Sequence, residues 1–174
     1  MLLEWQMAKL DFLQMMMLHI LMSILNTVIK RFKNDGLLDI ALFKINAFNY
    51  DSEYKNYPTQ KIKLNKLPFS VGTIEIVFRV NRVKHNNIFF DERFGAGQDL
   101  LIGSDENIFI LDCIKQDLNV WFFPEYIVNH PYESTVKKLS KYHKKKVSVT
   151  GVFDARINGL IAPKAVLGTI KYTL

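Results

Sequence analysis

Residues 103–131 read GSDENIFILDCIKQDLNVWFFPEYIVNHP and hold the clearest secondary-structure signals of the chain. Ser104 is a typical helix N-cap residue, and Asp105 and Glu106 follow in the first turn, where the helix dipole favours negative charge. These features, together with the spacing of the next apolar residues, predict a helix over 105–118. The apolar side chains that line one face of this helix are Ile110, Leu111, Ile114 and Leu118.

Extended segments lie on both sides of this helix. Residues 38–45 are mostly apolar, which is typical of a buried strand, and residues 46–60 lack any period and indicate a loop. Residues 73–80, TIEIVFRV, are rich in β-branched side chains and predict a second strand. A short aromatic strand is predicted over 120–123, ended by Pro124. The residues alone therefore predict a mixed α/β or α+β domain.

Length and composition fit one folded domain. The chain has 174 residues, of which 49% are hydrophobic and 23% are charged, and these values exclude a disordered or collagen-like protein. Its one cysteine, Cys113, cannot form an internal disulfide and gives no basis for a cysteine-ligated zinc site.

The positive charge is concentrated in one segment. The net charge is +6, from 23 basic and 17 acidic residues, and six lysines lie within Lys137–Lys146. We interpret this segment as a solvated face, a flexible tail or an anchor to anionic lipid. It also suggests an alternative function for the chain, a non-catalytic α/β module that binds a partner or an anionic membrane surface through Lys137–Lys146. Since the rest of the chain is balanced, and its aromatic residues lie in apolar patterns, we expect no nucleic-acid partner.

The N-terminal segment is rich in helix-forming residues and is followed by Gly36, so a helix is predicted over 5–33. Its most apolar window, 12–25, is shorter than the ~20 residues that cross a bilayer. Glu4 precedes the first lysine and no small-residue cleavage site follows, so no secretory signal is predicted. The sequence predicts a cytoplasmic protein, with an N-terminus lying on a membrane surface as the alternative.

Asp105 and Glu106 are the first candidates for chemistry. Backbone N–H groups at a helix start would hold a carboxylate in its ionised form, which suits a general base. Plain helix capping explains the same two residues, so both interpretations stay open on spacing alone.

The remaining candidates also have ordinary structural explanations. Asp91 and Glu92, beside an arginine, fit a surface ion cluster on a turn. Gly95 and Gly97 allow positive φ and close approach, but the pattern around them is not a dinucleotide-binding fingerprint. His130 is interpreted as a hydrogen-bonded loop residue, with metal ligation as the alternative.

The order of these motifs resembles the second half of the family-2 glycosyltransferases. Residues 89–97 read FFDERFGAG, similar to that family's Phe-Asp-Glu-x-Phe-Gly-x-Gly block, and an acidic pair that opens a helix follows. A short aromatic strand, a proline and a histidine at a strand end complete the likeness, which covers residues 38–135.

The resemblance implies a glycosyltransferase A-type fold, a Rossmann-like αβα sandwich of which this chain holds an incomplete, acceptor-side part. It also implies inverting transfer of a sugar from a nucleotide-sugar donor to a glycan acceptor, as in polysaccharide biosynthesis. Mg²⁺ or Mn²⁺ on the diphosphate is the cofactor that the family usually requires.

The resemblance further assigns roles to the candidate residues. The family's general base falls on Glu106, with Asp105 as its neighbour and as the second candidate. His130 matches a position that lies near the metal and the diphosphate in some members. The acceptor-binding residues implied by the block at 89–97 are Asp91, Glu92, Gly95 and Gly97.

Two parts of the family pattern are missing upstream of residue 38, namely the nucleotide-binding half and the Asp-x-Asp motif that holds the metal. We therefore divide the chain into an N-terminal helix at 1–33, an acceptor-side half at 34–135 and a basic C-terminal extension at 136–174. Alone, the chain is expected to be a weak or inactive enzyme.

All six methionines lie in the first 22 residues. Because methionine has the single codon ATG, Met15, Met16 and Met17 are encoded by a string that reads Asp-Asp in a shifted frame. We hypothesise that residues 1–23 are a frameshifted stretch and are not native in frame. Encoding DNA without a nucleotide-binding half in the alternative frame upstream would exclude this hypothesis.

Overall fold

The chain divides into two units, Met1–Leu38 and Asp39–Leu174. The second unit belongs to the α/β class, with helices and a mixed, open four-stranded sheet. The computed structural model describes residues 22–48, 53–95, 97–132 and 144–159.

In the first unit, helix α1 covers residues 22–34 of the described chain, and a turn at Gly36 follows it. This confirms the C-terminal part of the helix predicted over 5–33, whereas residues 5–21 lie outside the described residues. None of the helices among the described residues is long and apolar enough to span a membrane.

Strand β1, Ile40–Phe48, lies in the interior of the sheet. Its sequence, IALFKINAF, is almost continuously apolar, as expected of a strand that is buried on both faces. Alternate side chains join the main core, and Phe43 stacks on Phe123 with ring centroids 5.6 Å apart. The strand predicted over 38–45 is confirmed, and it continues into the loop predicted over 46–60.

The other strands flank β1 in the order β2-β4-β1-β3. Strands β1 and β4 are parallel, and the remaining pairs, β1 with β3 and β2 with β4, are antiparallel. Only part of the run predicted over 73–80 is a strand, because Thr73–Glu75 forms a 3₁₀ turn. The bounds of these strands are Ile62–Lys63 for β2, Ile76–Phe78 for β3 and Val120–Pro131 for β4.

Strand β4 does not end at Pro124 as predicted. Its pairing with β1 changes register between Leu42, opposite Phe122, and Lys44, opposite Tyr126. Pro124 lies in this irregular segment, where its missing N–H removes no hydrogen bond from a regular ladder. The strand therefore resumes its pairing beyond the proline.

Helix α2 covers Val80–His85, and helix α3 covers Asp105–Lys115, three residues shorter than the helix predicted over 105–118. At the end of α3, Asp117 adopts a left-handed backbone, φ 58°, and Leu118 N–H donates to the carbonyl of Cys113 at 3.0 Å. This Schellman-type closure stops the helix without a glycine.

The main core lies between the sheet and α3. The helix contributes Phe109, Ile110 and Cys113, which are buried against side chains of β1 and β4. Burial, with a smaller effect of the neighbouring Asp112 carboxylate, raises the pKa of the Cys113 thiol to about 12.

Helix α4, Lys144–Asn158, is an element that the sequence pattern did not predict. One face of it carries Val149, with Phe153 and Ile157 at successive intervals of four, and these pack with Phe94 and Ile108. Tertiary packing therefore stabilises a segment of low helix propensity. The rest of the lysine-rich segment, residues 137–143, lies outside the described residues, as does the C-terminal stretch 160–174.

Glu75 is a fully buried carboxylate that ties the 3₁₀ turn to the core. Its oxygens accept hydrogen bonds from the Tyr57 hydroxyl at 2.5 Å and from Gly72 N–H at 2.5 Å, and it pairs with the Lys55 ammonium. Lys55 also donates to the carbonyl of Ser70 at 2.7 Å. The buried Glu75 carboxylate is thus paired with a cation and hydrogen-bonded, which is the condition under which buried charges are tolerated.

Candidate functional site

Helix α3 begins with the acidic pair Asp105 and Glu106. Ser104 occupies the N-cap position as predicted, but its side chain makes no capping hydrogen bond and its backbone is left-handed, with φ 74°. That conformation is uncommon for a residue other than glycine. Backbone N–H groups of the acidic pair favour the ionised form of the Asp105 carboxylate, in opposition to its burial.

The Glu106 carboxylate is held by Thr73, the first residue of the 3₁₀ turn. Thr73 donates to Glu106 Oε1 from its N–H at 3.1 Å and from its hydroxyl Oγ1 at 2.5 Å. Two donors on one oxygen fix the orientation of a long side chain that otherwise rotates freely. The local sequence gives no sign of this contact, because the two residues lie 33 positions apart.

Asn107, the next residue of the helix, is a buried anchor that sequence reasoning missed. Its Oδ1 accepts a hydrogen bond from Val71 N–H at 2.8 Å, and its Nδ2 donates to Ser70 Oγ at 3.2 Å. Asn107 and Glu106 together attach residues 70–73 to the first turn of α3. The acidic pair is consequently supported by a second chain segment.

Gly95 lies directly against the Asp105 carboxylate. A Cβ at Gly95 would stand 2.8 Å from Asp105 Oδ2, and the glycine has φ +106°. Gly97 has a similar φ of +94°, but no atom lies within 4 Å of a Cβ built there. Of the two glycines, the structure therefore brings Gly95 to the acidic pair, and Gly97 faces open space.

The two carboxylates interact with each other. Burial is the main cause that raises the pKa of Asp105 to about 6, and a hydrogen bond to Glu106 and the charge of that neighbour add to the effect. A carboxyl group that titrates near neutrality can take up or release a proton under physiological conditions. The arrangement therefore suits proton transfer as well as helix capping.

Asp91 takes part in an ion cluster, as the structural interpretation of the sequence predicts. Arg93 donates to it from Nε at 2.8 Å and from Nη2 at 2.7 Å, and Arg156 of α4 approaches to 3.6 Å. The hydrogen bonds from Arg93 are the main cause that holds the pKa of Asp91 below its usual value. Its carboxylate is thus engaged by cations of its own loop and of α4.

Asp91 and Glu92 line a groove of about 640 Å³ that also includes Lys115, near the end of α3. Lys115 lies ten positions after Asp105, which corresponds to about 15 Å along the helix. Asp91 and Glu92 thus belong to a groove at the far end of α3, whereas Gly95, on the same loop, contacts the acidic pair.

His130 lies near the end of β4. Its ring packs edge-on against Tyr54, with centroids 5.7 Å apart, and Nδ1 is 2.7 Å from the carbonyl oxygen of Pro131. Within the described part of the chain, no group of three or more His, Cys, Asp or Glu side chains could hold a metal ion.

Comparison with known proteins gives no match to a family model, to a curated protein or to a solved structure.

We expect Gly95→Ala to lower the free energy of unfolding by about 1–3 kcal/mol more than Gly97→Ala. Both glycines have positive φ, so alanine brings similar backbone strain at either position. Only the alanine at position 95 would also contact the Asp105 carboxylate. Urea denaturation of the two variants measures the difference. Equal losses would contradict it, and Asp105→Ala should reduce the penalty at 95.

We also expect Asp105→Asn to change the pH dependence of stability. Folding raises the pKa of Asp105 from its unfolded value near 4 to about 6. The contribution of this group to the free energy of unfolding is therefore fully present below about pH 4 and is lost as the pH rises through about 6. The variant should gain roughly 1 kcal/mol relative to wild type between pH 4 and 7, after allowance for solvent screening. Urea denaturation of wild type and variant at each pH tests this prediction, and the exposed Asp99→Asn serves as control. The prediction is contradicted when the difference in unfolding free energy between Asp105→Asn and wild type is the same at pH 4 and pH 7.

Proposed function

We propose that the chain is the acceptor-side part of a family-2-like inverting glycosyltransferase, with an incomplete glycosyltransferase A-type fold. The observation that carries the proposal is the acidic pair at the start of α3, held in place by Thr73 and contacted by Gly95 of the Phe-Asp-Glu-x-Phe-Gly-x-Gly block. The parallel pairing of β1 and β4 supports an α/β sandwich of this general type.

Glu106 is the proposed general base. The acceptor hydroxyl gives its proton to this carboxylate while its oxygen forms a bond to the anomeric carbon of the donor sugar. The bond between that carbon and the diphosphate oxygen breaks, and the nucleoside diphosphate leaves with the electron pair. Because Thr73 engages Oε1, we assign the proton to Oε2.

Asp105 supports this role and is the second candidate for it. Its carboxyl group, hydrogen-bonded to Glu106 and with a pKa of about 6, titrates close to the pH at which a general base is most effective. The hydrogen bond to Glu106 and the charge of Glu106 are two of the causes that raise the pKa of Asp105.

The proposed substrates are a nucleotide-sugar donor and a glycan acceptor, in the synthesis of a polysaccharide. No step proposed here is routed through the divalent metal that the resemblance implies. His130 keeps its proposed position near the diphosphate on the strength of the resemblance.

The test is release of nucleoside diphosphate from a panel of nucleotide-sugars by the full chain, with Mn²⁺ and a mixture of oligosaccharides. A separately produced nucleotide-binding half of a family-2 glycosyltransferase is supplied in a parallel reaction, since the chain alone is expected to be weak. Glu106→Gln should lower the rate by about 10²–10⁴-fold, because amide nitrogen and oxygen cannot replace a general base.

The matched control for this experiment is Asp117→Asn, which changes a carboxylate just beyond the other end of α3 and should leave the rate unchanged. Equal rates for wild type and Glu106→Gln would contradict the proposed base. Salt-sensitive binding to anionic vesicles, lost when the six lysines of Lys137–Lys146 become glutamine and accompanied by no sugar transfer, would favour the membrane-binding alternative.

A further inference from the structure

Thr73 lies between the acidic pair and the buried ion pair of Glu75. On one side, its N–H and Oγ1 both donate to Glu106 Oε1, at 3.1 Å and 2.5 Å. On the other side, its 3₁₀ turn is fixed by Glu75, which accepts from Gly72 N–H and from Tyr57. Thr73 is thus a surface residue whose backbone is tied to the interior.

The described contacts also limit how this turn can move. Val71 N–H is bonded to Asn107, and Ser70 receives a hydrogen bond from Lys55 on its carbonyl oxygen. Residues on both sides of Thr73 therefore have fixed partners. The Thr73 hydroxyl meets Glu106 from a turn that is already in place, so little ordering entropy opposes this contact.

We propose that Thr73 is a positioning residue for the Glu106 carboxylate, holding Oε1 so that Oε2 is presented to the acceptor hydroxyl. The inference rests on the proposed function, since it assigns Thr73 a part in the work of the general base. A hydroxyl donor also stabilises the ionised form of the carboxylate that it contacts. A purely structural role would not require this, because packing alone does not discriminate between the two protonation states.

The experiment compares Thr73→Val with Thr73→Ser in the full chain. Valine keeps the shape of the threonine side chain and removes its hydroxyl, whereas serine keeps the hydroxyl. Because position 73 is exposed, neither substitution changes the core. Carboxyl ¹³C NMR follows the titration of the Asp105 and Glu106 pair, which in wild type is expected to include a midpoint near 6. We expect Thr73→Val to raise the midpoint of the pair by about one pH unit, and Thr73→Ser to leave it near the wild-type value.

An unchanged midpoint in Thr73→Val, or equal shifts in both variants, would overturn the inference. The transfer assay separates this failure from that of the proposed function. When sugar transfer is lost in Glu106→Gln but unchanged in Thr73→Val, the proposed function is kept and the positioning role of Thr73 is rejected. Where transfer occurs, Thr73→Val should move the acidic limb of its pH profile upward and lower kcat with little change in KM.

Discussion

The parallel pairing of β1 with β4 is the constraint on which the second unit depends. Parallel neighbours cannot be joined by a tight turn, so the chain must return from the end of β1 to the start of β4, and α3 forms the last part of that return. Asp39 fixes the pair at its start, because Oδ2 accepts from Asn119 N–H at 2.9 Å. The first turn of α3 consequently lies toward the carboxyl ends of the two parallel strands, β1 and β4.

That first turn is attached to the rest of the molecule through three successive polar side chains. Asp105 lies against Gly95, Glu106 accepts from Thr73, and Asn107 is bonded to residues 70 and 71. Two loops that are distant in sequence are thus brought to one helix end. Such support from neighbouring segments keeps the two carboxylates in fixed geometry, as the proposed proton transfer would require.

The features that follow from local periodicity could be predicted from the sequence. The helix at 105–118 and the strand at 38–45 have strong apolar patterns, and the structure contains both, with the helix ending at Lys115. Helix α4 could not be found in this way, because Gly151 and β-branched residues lower its propensity, and contacts with distant residues such as Phe94 and Ile108 stabilise it. The hydrogen-bond partners of Glu106 and Asn107 are set by which loops contact each other in the folded chain. The residue pattern within one segment does not reveal such long-range contacts.

The burial of Cys113 has a practical consequence. A thiol whose pKa is raised to about 12 carries almost no thiolate at neutral pH, and its side chain is inaccessible in the folded protein. We therefore expect alkylating reagents to leave Cys113 unmodified in the folded protein. Two cysteines introduced on the surface could carry fluorophores or spin labels without prior removal of Cys113, so the distance between the two labelled positions could be measured.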